Sequence, residues 1–372
     1  MCIKKFREEY PVTKNYIYLN HAAVSPLNKR SEKYLNNYLK NMMFDGNTRS
    51  EEIFNLVEET KKIMAKFINA ESKDLAFVKN TTAGLNHIAN GIDWQKGDEI
   101  IVPDKEFPAN IYPWQRLKEE GVILKQLKAD FSNNRIENLK ELITDNTRLI
   151  AISFVQYHNG YKENLEQISQ ICHKNKILLC VDAIQGLGAL PFSVKEIPID
   201  FMTWSCHKWM LGPEGIGFLY INPKHLNTLK VKNSGWLRRV DFMDFTNTNQ
   251  PLLPEASKFE EGTLNVSGIV TFRGSLDIIT EIGIKNIKNH IFSLNGMLAD
   301  QLIKKGYIIT SYQSTAHESG ILTFFHPKKD SSQLHEYLKK EKIITSLRNG
   351  QIRVAPHFYI TFEEIEKSIK IL

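Results

Sequence analysis

The chain has 372 residues, 42% hydrophobic and 24% charged, the balance of a globular protein with a sizeable core. Its formal net charge of +6 is spread over mixed Lys and Glu, and clusters such as "HPKKD" and "LKKEKI" are short and interrupted, which argues against nucleic acid as a partner. No apolar run is long enough to span a bilayer, "MCIKKFREEY" lacks the apolar centre of a secretory signal, and Cys2, Cys172, Cys180 and Cys206 form no CxxC, so reduced thiols in a cytoplasmic protein are expected.

From about residue 75 to 222, apolar runs alternate with helical periods. "LAFV" leads into "KNTTAGLNHIANGI" (79–92), where a helix is predicted to begin at Thr81 and Thr82. "EIIVP" (99–103), "RLIAISFV" (148–155), "KILLCVDA" (176–183), "DFMTWS" (200–205) and "GIGFLYI" (215–221) read as strands, most of them apolar on both faces. Within "ENLEQISQICHKNK", Leu165, Ile168, Ile171 and Cys172 share one helix face. Strands separated by helices predict parallel crossovers and an α/β domain. Beyond 222 the alternation loosens. The Pro- and Asn-rich stretch 247–265 reads as a long loop, and 266–306 as a helix pair or one broken helix. Residues 307–372 predict a small α+β unit from "YIIT", "GILTFF", "HEYLKKEKI", "QIRVAP" and a last helix, where Thr361 and Glu364 match a capping box.

Open parallel sheets bind ligands outside the carboxyl ends of their strands, and polar residues cluster at such ends here. Asp182 follows "ILLCV"; Ser205, His207 and Lys208 follow "DFMTW"; Glu106 and Phe107 lie beyond "EIIVP"; Gln156, Tyr157 and His158 follow "IAISFV". Thr81 and Thr82 stand where free helix N–H groups can seat a phosphate. Each has a plain alternative when taken alone. The threonines can simply cap their helix, Asp182 can be a loop carboxylate or a metal ligand, and Lys208 a solvated charge. Together, a lysine, a strand-end carboxylate and a hydroxyl-lined helix start are the parts pyridoxal phosphate requires: an amine for its aldehyde, an anion for its ring nitrogen and a seat for its phosphate.

At this point the chain resembles the class V aminotransferase group of fold-type I pyridoxal-phosphate enzymes, which includes cysteine desulfurases, selenocysteine lyases, kynureninases and isopenicillin N epimerase-like proteins. The resemblance runs in order along "YIYLNHAAVSPL", "NTTAGLN", "EFPANIYPWQ", "VDAIQGLGALP", "SCHKWMLGPEGIGFLY", "FEEGTLNV" and "IRVAPHFYIT". It implies a large domain with a mostly parallel seven-stranded sheet flanked by helices, and a small α+β C-terminal domain. The expected division is an N-terminal segment (1–25) packing with the small domain, a cofactor domain (26–255), and a connecting helix with the small domain (256–372).

The resemblance also implies roles. Lys208 would be the Schiff-base lysine and the proton carrier at the substrate carbon, its pKa lowered by a neighbouring cationic ring. Asp182 would pair with the pyridine nitrogen, Gln185 would donate to the phenolic oxygen, and Phe107 would lie over the ring. Thr82, with Thr81, Ser205 and His207, would hold the phosphate. Thr263 would reach the phosphate of a neighbouring subunit, which implies a homodimer. Arg353 would take the carboxylate of an amino-acid substrate bidentately. Asn20, His21, Tyr157, His158, Trp236 and Arg238 are further candidates for the substrate pocket, although Trp236 can equally be plain core and His158 a loop residue.

Desulfurases of this family carry a histidine where this chain has Phe107, and a nucleophilic cysteine on a loop that here reads "TSLRNGQIRVAP". Cys206, beside Lys208, reads as packing rather than as a persulfide carrier. A persulfide mechanism is therefore disfavoured, which leaves transamination, with persulfide-free C–S elimination or epimerisation as alternatives. Outside this class, a nicotinamide dehydrogenase lacks a G-x-G-x-x-G between a first strand and its helix, a metal hydrolase lacks a ligand cluster, and a non-catalytic binding protein would not need the whole cofactor set.

Overall fold

The computed structural model describes residues 3–128, 134–311 and 316–372; Cys2 lies outside them. Across the larger sheet the strands run Leu75–Val78, Gly217–Ile221, Phe201–Ser205, Leu178–Asp182, Thr147–Ser153, Glu99–Pro103 and Ile123–Leu127. The last five are mutually parallel, and Gly217–Ile221 lies antiparallel to both of its neighbours. The expected mostly parallel, seven-stranded α/β sheet is therefore present. Alternate residues feed two apolar layers: Ile150, Ile152, Val181, Met202 and Trp204 face one, while Leu149, Ala151, Cys180 and Phe201 face the other. Both faces are covered, which is why these strands read as unbroken apolar runs. Ile123–Leu127 escaped the sequence reading because it is an edge strand, "ILKQL", of which only Leu127 is buried.

A second sheet orders Ser346–Arg348, Gln351–Val354, Leu322–Phe325 and Ile308–Ile309, all antiparallel. Near the chain start, Ile17–Tyr18 pairs parallel with Ile343–Ile344, and Asn20 bridges Ala355. Segment 266–306 is a helix pair, Val266–Ile282 and Ile284–Lys304, broken at Gly283, whose φ of 83° ends the first helix without a Cβ penalty. Stretch 247–265 is irregular apart from one short helical turn, Ala256–Phe259. The Thr361–Glu364 capping box forms in both directions at 3.2 and 2.9 Å. Among the described residues no helix is long and apolar enough to cross a membrane.

Candidate active site

Strands Leu178–Asp182 and Phe201–Ser205 are parallel neighbours, with Asp182 opposite Thr203, so their carboxyl ends open on the same side. A cavity of about 420 Å³ lies there. Thr81, Thr82, Ser205 and His207 line one part of it; Asp182, Gln185 and Lys208 line another; Phe107, Tyr157 and Arg353 complete it. These ten predicted residues, drawn from six separate segments of the chain, are brought together by the sheet.

The helix Thr81–Gly91 points its N-terminus at this cavity. Asn80 caps it, its side chain accepting from the Ala83 amide at 2.9 Å. The Thr81 amide donates to Ser205 Oγ at 2.8 Å, and the two hydroxyls are 3.0 Å apart. Thr81 and Ser205 thus weld the helix start to the strand end, while Thr82 stands exposed at the cavity. The weld requires close approach: a Cβ on Gly84, one turn on, would lie 2.1 Å from Thr203 Oγ1.

Lys208 is buried, with Nζ 5.5 Å from the centroid of the Phe107 ring. Burial pushes its pKa down to about 8; Asp182 opposes this, and Arg353 and Arg348 add to it. A lowered lysine was expected, but its cause here is desolvation and two guanidinium groups, before any cofactor ring is considered. Burial drives Asp182 upward, to about 7, against the pull of the Ile184 amide, which donates to it at 3.0 Å; Glu106 raises it further and Lys208 lowers it. Glu106 is itself buried and accepts from the Ser153 amide at 2.7 Å and from Gln156 Nε2 at 3.0 Å.

Gln185 is held at both ends of its amide. Nε2 donates to the Ala22 carbonyl at 3.0 Å, Oε1 accepts from Trp209 Nε1 at 2.9 Å, and one N–H is left over. Arg353 is 2% exposed. Its Nη1 donates to the Tyr157 carbonyl at 2.5 Å and its Nε to Ser346 Oγ at 3.1 Å, while Nη2 is buried with no partner among the described residues. Burial and the nearby Arg348 push its pKa down to about 9, so this guanidinium is short of an anion.

Other sequence candidates are placed elsewhere. His21 is fully buried behind the cavity, Nδ1 on the Ala355 carbonyl at 2.8 Å and Nε2 on the Tyr359 hydroxyl at 2.6 Å; its neighbours Ala22, Ala23 and Val24 line the cavity instead. Asn20 takes part in the bridge to Ala355 and does not line the cavity. His158 packs on the Tyr157 ring, 5.4 Å between centroids, behind the cavity wall. Thr263 lines a separate cavity of about 460 Å³ with Lys79 and His87. Trp236 belongs to a surface aromatic group with Phe242 and Phe245, and Arg238 is ion-paired with Glu58 and Glu260. Cys206 is fully buried, with its thiol pushed well up by desolvation, and none of the described cysteines lines the cavity. No group of metal-ligating side chains occurs among the described residues.

Of the lining residues that sequence reasoning did not put forward, Arg348 is the charged one. It lies on the strand Ser346–Arg348. The signal was present in "LRNGQIR": Asn-Gly between alternating residues specifies a two-residue hairpin. Asn349 and Gly350 adopt φ of 49° and 73°, as such a turn requires.

Comparison with known proteins gives a consistent family picture. A family model described as aminotransferase class-V matches residues 17–368. A probable cysteine desulfurase of Methanothermobacter thermautotrophicus is 28% identical, over 97% of this chain and 94% of the relative. An uncharacterized aminotransferase of Bacillus subtilis is 26% identical, over 98% and 96%. The apo structure of a cysteine desulfurase from Thermococcus onnurineus superposes with a TM-score of 0.90 at 25% identity, covering 99% of this chain and 96% of that one.

Proposed function

The chain belongs to the class-V aminotransferase family and is an enzyme of pyridoxal-phosphate-dependent amino-acid chemistry; on that premise we propose that the cofactor is held at Lys208 and that the reaction is a transamination of an α-amino acid seated on Arg353. The observation that carries this is that Arg353, whose Nη2 is buried with no partner among the described residues, lines the same cavity as Lys208. A buried guanidinium with an unsatisfied N–H costs stability unless an anion completes it, and the α-carboxylate of an amino acid is that anion.

The residues present fit the cofactor. Asp182 is the one carboxylate in the cavity wall, Gln185 keeps an N–H for a ring oxygen, and Thr82, Ser205 and His207 gather at a helix N-terminus suited to a phosphate. When bound, the cofactor supplies an aldehyde for an amine and a cationic ring that accepts the electron pair left on the substrate's α carbon. Asp182 keeps a proton on the ring nitrogen. Lys208, its pKa lowered by burial, is neutral in a useful fraction at physiological pH and moves the proton at the substrate's α carbon. Phe107 covers the site from one side and carries no proton. No cysteine is among the described residues of the wall, so an enzyme-bound persulfide has no thiol there to form on.

A homodimer accompanies this reading. Support comes from Thr263, which the fold keeps out of its own chain's Lys208 cavity, and from apolar surface left open at Met43 (77% exposed), Phe44 (81%) and Phe245 (70%). Free, buried Cys172, Cys180 and Cys206 support a reducing, cytoplasmic setting.

The test is the absorbance spectrum of the cofactor-loaded protein, wild type beside Lys208→Ala, with amino acids and oxo acids added singly and products identified. A visible-edge band in the wild type that is altered in the variant, together with amino-group exchange between an amino acid and an oxo acid, supports the reading. Pyruvate with ammonia and sulfide from cysteine would replace transamination by elimination. Indifference of the spectrum to Lys208→Ala would sink the assignment of the lysine.

A further inference from the structure

The hairpin that carries Arg353 also carries a second arginine toward the same cavity. In its register Ser346 opposes Arg353 and Arg348 opposes Gln351. Side chains alternate faces along a strand, so Ser346, Arg348, Gln351 and Arg353 share one face, and the two arginines are diagonal neighbours about 7–8 Å apart at Cα. Both line the Lys208 cavity. Among the described residues, Arg348 donates from Nη1 to the carbonyl of its own neighbour Leu347, at 2.8 Å. No carboxylate forms an ion pair with either arginine among the described residues.

Resting on the reading above, we propose that Arg348 is a specificity-determining residue and that the substrate is a short amino acid whose side chain ends in a second acidic group, such as aspartate. Three cations, Lys208, Arg348 and Arg353, line the cavity against the single carboxylate of Asp182. One substrate carboxylate satisfies Arg353, whose guanidinium is oriented by Ser346 and Tyr157. The second guanidinium is then left with a like charge beside it and no anion. Like-charged side chains on one sheet face destabilise each other unless an anion sits between or beyond them. The two-residue turn allows little play, so the spacing of the two sites is set by the hairpin rather than by loop motion. With the two arginines about 7–8 Å apart at Cα, the span suits two carboxylates joined by a short side chain.

The test compares wild type with Arg348→Gln, and with Arg348→Lys as a charge-retaining control, each checked for a native circular-dichroism spectrum. Two readouts are taken: kcat/KM for aspartate against alanine, and calorimetric binding of succinate against butyrate to the cofactor-loaded protein. The expected result is a preference for aspartate and for succinate in the wild type, with both preferences falling about 10- to 100-fold in Arg348→Gln, the range of a lost charged hydrogen bond, and falling less in Arg348→Lys. Equal handling of the acidic and neutral partners by the wild type, or an unchanged ratio in Arg348→Gln, overturns the proposal while transamination of neutral amino acids leaves the broader reading standing. Equal binding of succinate and butyrate would mean that both arginines share one carboxylate, which also overturns it. If no amino acid reacts at all, the broader reading fails, and the succinate-over-butyrate ratio alone decides the role of Arg348.

Discussion

Ser346 and Arg353 face each other across an antiparallel pair, and the serine hydroxyl accepts from the guanidinium Nε at 3.1 Å. This bond and the one to the Tyr157 carbonyl fix the guanidinium plane and leave Nη2 without a partner among the described residues. A planar fork held in this way can grip a carboxylate with little loss of freedom on binding.

Ser346→Ala removes that restraint and no substrate contact. We expect KM for the amino acid to rise roughly 3- to 10-fold with kcat nearly unchanged, the effect of about 1 kcal/mol of lost orientation. Arg353→Lys, which keeps the charge but not the fork, is expected to lower kcat/KM by at least about 100-fold. Steady-state kinetics on both variants check this; a Ser346→Ala variant that loses kcat alone would contradict the positioning role.

Asp182 costs the empty protein stability. Its folded pKa is raised by burial, so above the unfolded value the carboxylate is destabilising, and the penalty is complete once the pH passes the folded value of about 7. Asp182→Asn is therefore expected to stabilise cofactor-free protein at pH 8 by about 1–3 kcal/mol, and by less at pH 5, while lowering activity 100-fold or more. Thermal unfolding at the two pH values, beside turnover, is the measurement; a variant less stable than wild type at pH 8 would refute the argument.

Cofactor capture should follow the ionisation of Lys208. Only the neutral amine attacks an aldehyde, and burial with Arg353 and Arg348 nearby lowers its pKa to about 8. The rate of loading is expected to rise with pH to a plateau with a midpoint near 8, not near 10.5, the ordinary lysine value. Arg353→Leu should move the midpoint upward, because it removes one of the charges that disfavour the ammonium. Stopped-flow absorbance of apo-protein mixed with pyridoxal phosphate reads both; a profile still rising steeply at pH 10 in the wild type would count against it.

Gly84 sets how closely the helix Thr81–Gly91 approaches the strand Phe201–Ser205. A Cβ there would meet Thr203 Oγ1 at 2.1 Å, so Gly84→Ala should push the helix away and loosen the Thr81–Ser205 bonds. We expect overpacking of about 1–3 kcal/mol and weaker cofactor retention. Adding Thr203→Ala removes the clashing oxygen and should restore part of both. Dialysis retention of the cofactor and the melting temperature, measured across the single and double variants, test this.

Much of the site was readable in one dimension because cofactor chemistry demands particular residue types at strand ends. Lys208, Asp182, Ser205 and the threonines that open the helix Thr81–Gly91 are local features, each adjoining an apolar run that is itself a strand. The buried strands announced themselves through unbroken apolar runs, since both sheet faces are covered. Edge strand Ile123–Leu127 carries no such mark, because most of its side chains meet water.

His21 and Arg348 show the other limit. A histidine next to cavity residues looks like a ligand group in sequence, yet the chain turns its ring inward onto the Ala355 carbonyl and the Tyr359 hydroxyl. Which way that ring turns depends on a partner 338 residues away. Arg348 looks like a loop charge until the Asn349–Gly350 turn sets the pairing and alternation carries it to the face of Arg353. By itself, then, the sequence determined the buried strands of the sheet and the family its motifs resemble, and it put Lys208 forward as the candidate amine, because these follow from local pattern. Tertiary structure alone decided which polar side chains share a cavity, which guanidinium is left without an anion and how far burial shifts Lys208 and Asp182, because contact and desolvation belong to the packed chain.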